Sequence, residues 1–198
     1  MSAQPQHYYT PEEYLALERA AAYKSEYLAG EIFAMAGASP RHSSIAANLI
    51  RLLGNAFQGQ PCRVYGSDMR VRVEETELYT YPDVVAVCGP PKFGGVHQDT
   101  LLNPTVIFEI LSPSTEGYDR GKKFANYRQI PTLTDYVLVA QDEVRIEHFT
   151  RQGHGWFLTT VSALDRTLPI TSIDSDLPLV AVYQNVEFTA PDATTPAL

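Results

Sequence analysis

Two acidic residues of this sequence stand where acidic residues are expensive. In PTVIFEIL, residues 104–111, Glu109 lies inside a run of Val106, Ile107, Phe108, Ile110 and Leu111. That run is apolar on both alternating faces, as in a strand covered on both sides. Asp83 follows Pro82 in YPDVVAVC and leads into a second apolar run over 84–87. An ionised carboxylate withdrawn from water needs a counter-charge or a metal. Alone, Asp83 reads first as a turn or cap residue ahead of a strand, whereas Glu109 is the rarer placement. If the two strands lie side by side across the loop between them, the carboxylates repel unless a proton or cation sits between them. Magnesium uses one or two carboxylates plus water and phosphate oxygens, so the pair points to metal-assisted attack on a phosphate ester.

Such chemistry also wants a cation to orient water and to offset charge on phosphorus. The segment DRGKKFANY, residues 119–127, offers Lys122 and Lys123. Asp119 stands four residues before Lys123, so an ordinary helical ion pair accounts for those two as well. Glu31 follows Gly30 in a hairpin and reads either as a site carboxylate or as a surface strand residue. His42 shares the inward face of a helix with Ile45, Ala46, Leu49 and Leu53; it is either a satisfied core histidine or a partner for a carboxylate or phosphate. Ser112, Ser114 and Thr115 follow the Glu109 strand and are placed to form the mouth of a site and to cap the next helix. Arg120, Lys122, Lys123 and Arg128 make this neighbourhood locally basic.

These residues need elements to hold them. Thr10-Pro11-Glu12-Glu13 opens a helix with a capping-box pattern, with Tyr14 and Leu17 facing inward. SEYLAGEIFAM, residues 25–35, predicts a hairpin turning at Ala29-Gly30. Ser39-Pro40 starts a helix that runs to about Gln58 and stops at Gly59. Strands are expected over 63–73, 79–88, 105–111, 135–140, 144–150, 156–161 and 180–188, a third helix over 118–129, and a surface loop over 89–103. That order implies an α/β fold with a mixed central sheet flanked by helices and a strand-rich C-terminal half. Residues 1–188 read as a single domain and TAPDATTPAL, 189–198, as a mobile tail.

The ordered series Gly30-Glu31, His42, Tyr81-Pro82-Asp83, EILSPST over 109–115, Asp119, Lys123, Tyr127, Leu133 and YVLV over 136–139 resembles the bacterial Uma-two family. That family groups proposed endonucleases of the PD-(D/E)XK, restriction-endonuclease-like superfamily. The resemblance spans roughly residues 8–183, and EILSPST to DRGKKF is its most specific part. It implies a restriction-endonuclease-like mixed sheet and hydrolysis of phosphodiester bonds in DNA with Mg2+ or Mn2+. By position it makes Asp83 and Glu109 metal ligands, Lys123 the catalytic lysine and Glu31 an accessory acid. His42, Ser114, Thr115, Arg120 and Lys122 would then contact substrate. One departure stands out: the superfamily lysine belongs two residues after the glutamate, where this chain has Leu111. The resemblance therefore brings Lys123 in from the following helix, with Lys122 as its rival. The alternative is a nuclease scaffold that binds DNA or protein and no longer cuts.

The bulk properties narrow the field. With 198 residues, 44% hydrophobic and 19% charged, the chain is globular rather than disordered. No apolar run approaches the roughly 20 residues of a membrane span. A net charge of −8 argues against indiscriminate binding to nucleic acid but leaves room for a local basic groove. Cys62 and Cys88 read as buried, reduced residues of a cytoplasmic protein. Tyr8, Tyr9 and Phe93 read as exposed aromatics compatible with a homodimer.

Overall fold

A computed structural model of the chain describes residues 7–35 and 37–188. The expected tail, 189–198, lies outside them. Helix α1 (Pro11–Ala20) starts at Thr10 through a reciprocal capping box: the Glu13 N–H donates to Thr10 Oγ1 at 3.2 Å, and the Thr10 N–H donates to Glu13 Oε2 at 2.8 Å. Its buried residues are Tyr14 and Glu18, one turn apart, while Leu17 is half exposed. The inward face is thus set by Tyr14 stacking on Tyr27 and by Glu18 accepting from Ser25 and Tyr81, not by Leu17.

The hairpin forms as expected from β1 (Ser25–Leu28) and β2 (Glu31–Ala34). Ala29 and Gly30 both take positive φ, 47° and 100°, and a Cβ on Gly30 would lie 2.7 Å from the Tyr8 ring. This turn sets the register, pairing Leu28 with Glu31 and Glu26 with Phe33. Helix α2 (Pro40–Ala56) begins where Ser39 Oγ accepts the His42 N–H at 3.1 Å, and it buries Ile45, Leu49 and Leu53.

Two runs read as single strands each divide. Residues 63–73 become β3 (Cys62–Gly66) and β4 (Arg70–Val73); residues 79–88 become β5 (Leu78–Thr80) and β6 (Val84–Cys88), parted at Pro82-Asp83. In each case the halves join different sheets, which local periodicity cannot reveal. The loop over 89–103 contains two short strands, β7 (Phe93–Gly94) and β8 (Thr100–Leu101). Then come β9 (Val106–Leu111), α3 (Glu116–Tyr118), a π-turn (Asp119–Lys123), α4 (Phe124–Tyr127), β10 (Asp135–Ala140), β11 (Ile146–Gln152) and β12 (Gly155–Val161). A hairpin of β13 (Thr167–Ile170) and β14 (Ser175–Pro178) and a short helix α5 (Leu179–Val182) close the described chain. The strand expected over 180–188 is therefore replaced by a helix and turn. Here Leu179 and Val182, three residues apart, are the buried pair, a helical spacing rather than an alternating one.

Among the described residues the strands form two six-stranded sheets, ordered β2-β1-β5-β4-β8-β7 and β12-β11-β10-β9-β6-β3, plus the separate hairpin. The second sheet is mixed: β9 and β10 run parallel and its other pairs antiparallel. One of its faces packs on α2, α5 and the β13–β14 hairpin through Ile45, Leu49, Phe108, Val137 and Leu177. The opposite face packs on the first sheet and on α4 through Ile107, Leu138, Leu78 and Tyr127. On its outer side the first sheet carries α1 through Tyr14, Tyr27 and Tyr79. The class is the expected α/β, helices flanking a mixed sheet, with the strands shared between two sheets.

Cys62 and Cys88 are register partners on β3 and β6 and are joined by a disulfide. The reduced cysteines expected from the sequence are thus corrected, and with them the cysteine argument for a reducing compartment. Two residues 26 apart in sequence come to face each other only through the antiparallel register. Of the three aromatics, Tyr8 is exposed, whereas Tyr9 and Phe93 are half-buried, Phe93 edge-on to Tyr65. Among the described residues no helix is long and apolar enough to cross a membrane.

Candidate active site

Alternation along β9 sends Val106, Phe108 and Ile110 toward α2 and Ile107 and Leu111 toward α4. Glu109 belongs to the second set. Strand β6 runs antiparallel beside it with Val84 opposite Phe108, so Asp83, one residue earlier, arrives level with Glu109. Its carboxylate is pinned there: Oδ2 accepts the Ile110 N–H at 2.7 Å and lies 3.1 Å from His42 Nε2 on the first turn of α2. The break between β5 and β6 is therefore also the device that aims Asp83.

After β9 the chain turns at Ser112, whose Oγ accepts the Thr115 N–H at 3.3 Å and whose carbonyl accepts the Glu116 N–H at 2.9 Å. Thr115 makes no side-chain cap of its own; the capping expected of this loop falls to Ser112. The helix expected over 118–129 is interrupted by the π-turn, which buries both Asp119 and Lys123 and leaves Lys122 exposed. Single wide turns of this kind recur at functional sites. Lys123 Nζ lies 3.0 Å from Glu109 Oε1, 3.2 Å from Glu26 Oε1 and 3.7 Å from Asp119 Oδ1. Glu26 accepts from Thr80 Oγ1, and the Tyr127 hydroxyl donates to Glu109 Oε1 at 2.8 Å. Leu111, in the slot of the superfamily lysine, packs in the apolar core with Tyr127 and Leu133.

One ammonium thus stands among Glu26, Glu109 and Asp119, with Asp83 close enough to act on Glu109 and Asp119 electrostatically. Burial drives the Glu109 pKa well above the usual carboxylate value; Lys123 opposes this, and Asp83 and Asp119 add to it. Burial works against the Lys123 charge, but Glu109, Glu26 and Asp119 outweigh it and hold that ammonium charged. Asp119 is raised chiefly by burial, against Lys123 and Thr115, with Asp83 and Glu26 pushing the same way as burial. Four carboxylates around one lysine leave an excess of negative charge, which either retains a proton on Glu109 or takes a cation.

Whether the donor set suits a dication can be read from its oxygens. Glu109 Oε1 is engaged by Lys123 and Tyr127, and Asp83 Oδ2 by Ile110 and His42. No hydrogen bond to Glu109 Oε2 or Asp83 Oδ1 occurs among the described residues. The site therefore offers two open hard oxygens, one from each carboxylate. No cluster of three or more His, Cys, Asp or Glu residues suited to a metal occurs among the described residues. Two carboxylates with water and phosphate completing the shell is the habit of magnesium, and the residues fit that ion.

The other candidates are placed as follows. Glu31, the first residue of β2 after the turn, lines a groove of about 720 Å³ with His7, Tyr9 and Leu17. The hairpin carboxylate in contact with Lys123 is Glu26. Its sequence neighbours Ser25 and Tyr27 form no apolar run like the one around Glu109, so only the fold marks it, by burying all three. Arg120 is occupied by Glu116 and Glu147. Ser112, Ser114 and Thr115 form an exposed hydroxyl cluster, with Ser112 Oγ 3.1 Å from Ser114 and 2.9 Å from Thr115.

This architecture is that of a restriction-endonuclease-like fold. It aligns with a TM-score of 0.72 and 20% identity to the crystal structure of a "putative nuclease belonging to DUF820" from Anabaena variabilis, covering 88% of this chain and 97% of that one. Residues 11–179 match the Uma2 family, described as "Putative restriction endonuclease", and the chain belongs to that family. An uncharacterized Synechocystis protein, sll1609, is 42% identical over 151 residues, 76% of this chain and 85% of that protein. A second uncharacterized Synechocystis protein, slr1290, is 37% identical over 180 residues, 90% of this chain and 93% of that protein.

Proposed function

We propose that the chain is a divalent-metal-dependent endonuclease that hydrolyses phosphodiester bonds in DNA. Family membership supports a nuclease-like activity. The observation that carries the finer reading is the pair of open oxygens on Asp83 and Glu109 beside the Lys123 ammonium.

In this reading Asp83 and Glu109 hold Mg2+ or Mn2+, which when bound supplies a polarised phosphate and a water of lowered pKa. His42 and the Ile110 N–H fix Asp83 so that one oxygen stays forward. Lys123 directs a hydrogen bond to the attacking water and offsets charge as its oxygen bonds to phosphorus and the bridging P–O bond breaks, the leaving oxygen taking up a proton. Glu26 and Asp119 hold Lys123 in reach, doing from the side what a strand-borne lysine gets from its own backbone. Exposed Lys122 and the Ser112–Thr115 hydroxyls are placed for neighbouring phosphates. Glu31 and Arg120 belong to the outer margin of this reading, and a homodimer carrying one site to each strand is consistent with it.

The test is incubation of purified protein with plasmid and with single-stranded DNA, with Mg2+ or Mn2+, beside Glu109→Ala. Metal-dependent cutting that the substitution abolishes supports the reading; cutting that persists refutes it. One observation favours a second reading, a scaffold that binds without cutting: Lys123 is engaged by three carboxylates at once. Calorimetry showing no heat with Mg2+ or Mn2+ would support that alternative.

A further inference from the structure

Glu109 has an unusual problem. In the superfamily pattern its lysine partner sits two residues away on the same strand. Here the ammonium comes from a turn fourteen residues on, and the strand position holds Leu111. The three protons of the Lys123 ammonium are shared among Glu109, Glu26 and Asp119, so turning one toward a water takes it from one of these carboxylates. The second donor to Glu109 Oε1 is Tyr127, whose hydroxyl lies 2.8 Å away on α4.

We infer that Tyr127 is the positioning residue of Glu109: its hydroxyl fixes Oε1 and so presents Oε2 to a dication while Lys123 engages water. This deepens, and rests on, the metal-dependent reading above. Four features support it. Tyr127 is fully buried in the core that includes Ile107, Leu111 and Leu138, and it contacts the Tyr136 ring at 5.5 Å, so its hydroxyl has a fixed reach. It carries one proton, and Glu109 Oε1 at 2.8 Å is nearer than its other neighbour, Thr80 Oγ1 at 3.4 Å. The Thr80 proton is directed to Glu26, so a bond between Thr80 and Tyr127 would need the Tyr127 proton, and the shorter, charge-assisted contact with the Glu109 carboxylate takes it. Finally, Asp83 is built on the same plan, one oxygen held by two donors and the other open. Donors that orient a ligand's spare oxygen typically alter metal affinity by about 10–100-fold when lost.

The test uses the full chain and Mn2+ alone, with affinity read by electron paramagnetic resonance. Tyr127→Phe keeps the ring and removes the donor; Mn2+ affinity should fall about tenfold or more, with the thermal midpoint little changed. In turnover assays the Mn2+ concentration for half-maximal rate should rise while the rate at saturating Mn2+ stays close to that of the parent chain. Thr80→Val, which leaves the Tyr127–Glu109 bond intact, should change Mn2+ affinity far less. Equal Mn2+ affinity in parent and Tyr127→Phe overturns this inference and leaves the metal-dependent reading standing. No Mn2+ binding by the parent chain overturns both. Should Tyr127→Phe not fold, a crystal structure of the parent with Mn2+ decides. Glu109 bound through one oxygen, with Tyr127 on the other, supports the inference; Glu109 bound through both oxygens, with Tyr127 released, overturns it.

Discussion

Glu109 and Asp135 are buried carboxylates on adjacent strands of one sheet, and they have opposite electrostatic histories. Burial pushes Asp135 up, but His148 at 2.6 Å, Ser172 and Thr134 outweigh it and hold its pKa below the usual value. Glu109 receives Lys123 and Tyr127 on one oxygen only, stands near Asp83 and Asp119, and is held well above the usual value, first by its burial. Asp135 has donors for both oxygens and joins β10, β11 and the turn before β14. A buried carboxylate saturated with donors is a rivet. One left with an unbonded oxygen and like-charged neighbours holds its proton more tightly and, in the function proposed above, takes a cation. Burial alone, which is all a sequence suggests, does not separate the two.

Substitutions should split along this line. Glu109→Gln is expected to reduce metal-dependent cleavage by about a thousandfold, the upper range for losing one transition-state contact, while the fold survives in circular dichroism. Lys123→Ala leaves Glu109, Glu26 and Asp119 without their shared cation and should cost about 3–5 kcal/mol in denaturant unfolding, as well as activity. Asp135→Asn should do the reverse of Glu109→Gln. It weakens a satisfied network by about 1–3 kcal/mol, with Mn2+ affinity unchanged.

The pH dependence of stability sharpens the contrast with smaller effects. Asp135 has its folded pKa depressed, so its contribution is present above the unfolded value of about 3.9 and is lost as the pH falls through the lower folded value. Glu109 has its folded pKa raised. Its contribution is therefore present below the unfolded value of about 4.3 and is lost as the pH rises through the folded one. Unfolding curves of parent and Glu109→Gln should diverge in the parent's disfavour above that window, and excess Mg2+ should narrow the gap. Parent and Asp135→Asn should converge only in acid.

Much of this was legible before any coordinates. An acid inside an apolar run marks Glu109, and Pro-Asp ahead of a second run marks Asp83; both signals are local. The capping box of α1, the hairpin turn at Ala29-Gly30 and the stripe of α2 are equally local, and the fold class follows from their order. What was illegible depends on register and on long-range pairing. Glu26 and Glu31 are both hairpin acids, and only the pairing of Glu26 with Phe33 and its approach to Lys123 distinguishes them. Lys122 and Lys123 are neighbours in sequence, and which one turns inward is decided by the π-turn. Cys62 meets Cys88 because β3 pairs with β6 at one register rather than another. Asp135 gave no sign of its donors, since His148 and Ser172 are 13 and 37 residues away.

The most direct measurement is anomalous diffraction from crystals soaked in Mn2+. One peak is expected about 2.0–2.1 Å from a single oxygen of each of Asp83 and Glu109, with Lys123 Nζ close by and not coordinated. A peak elsewhere, or none at saturating Mn2+, would contradict it.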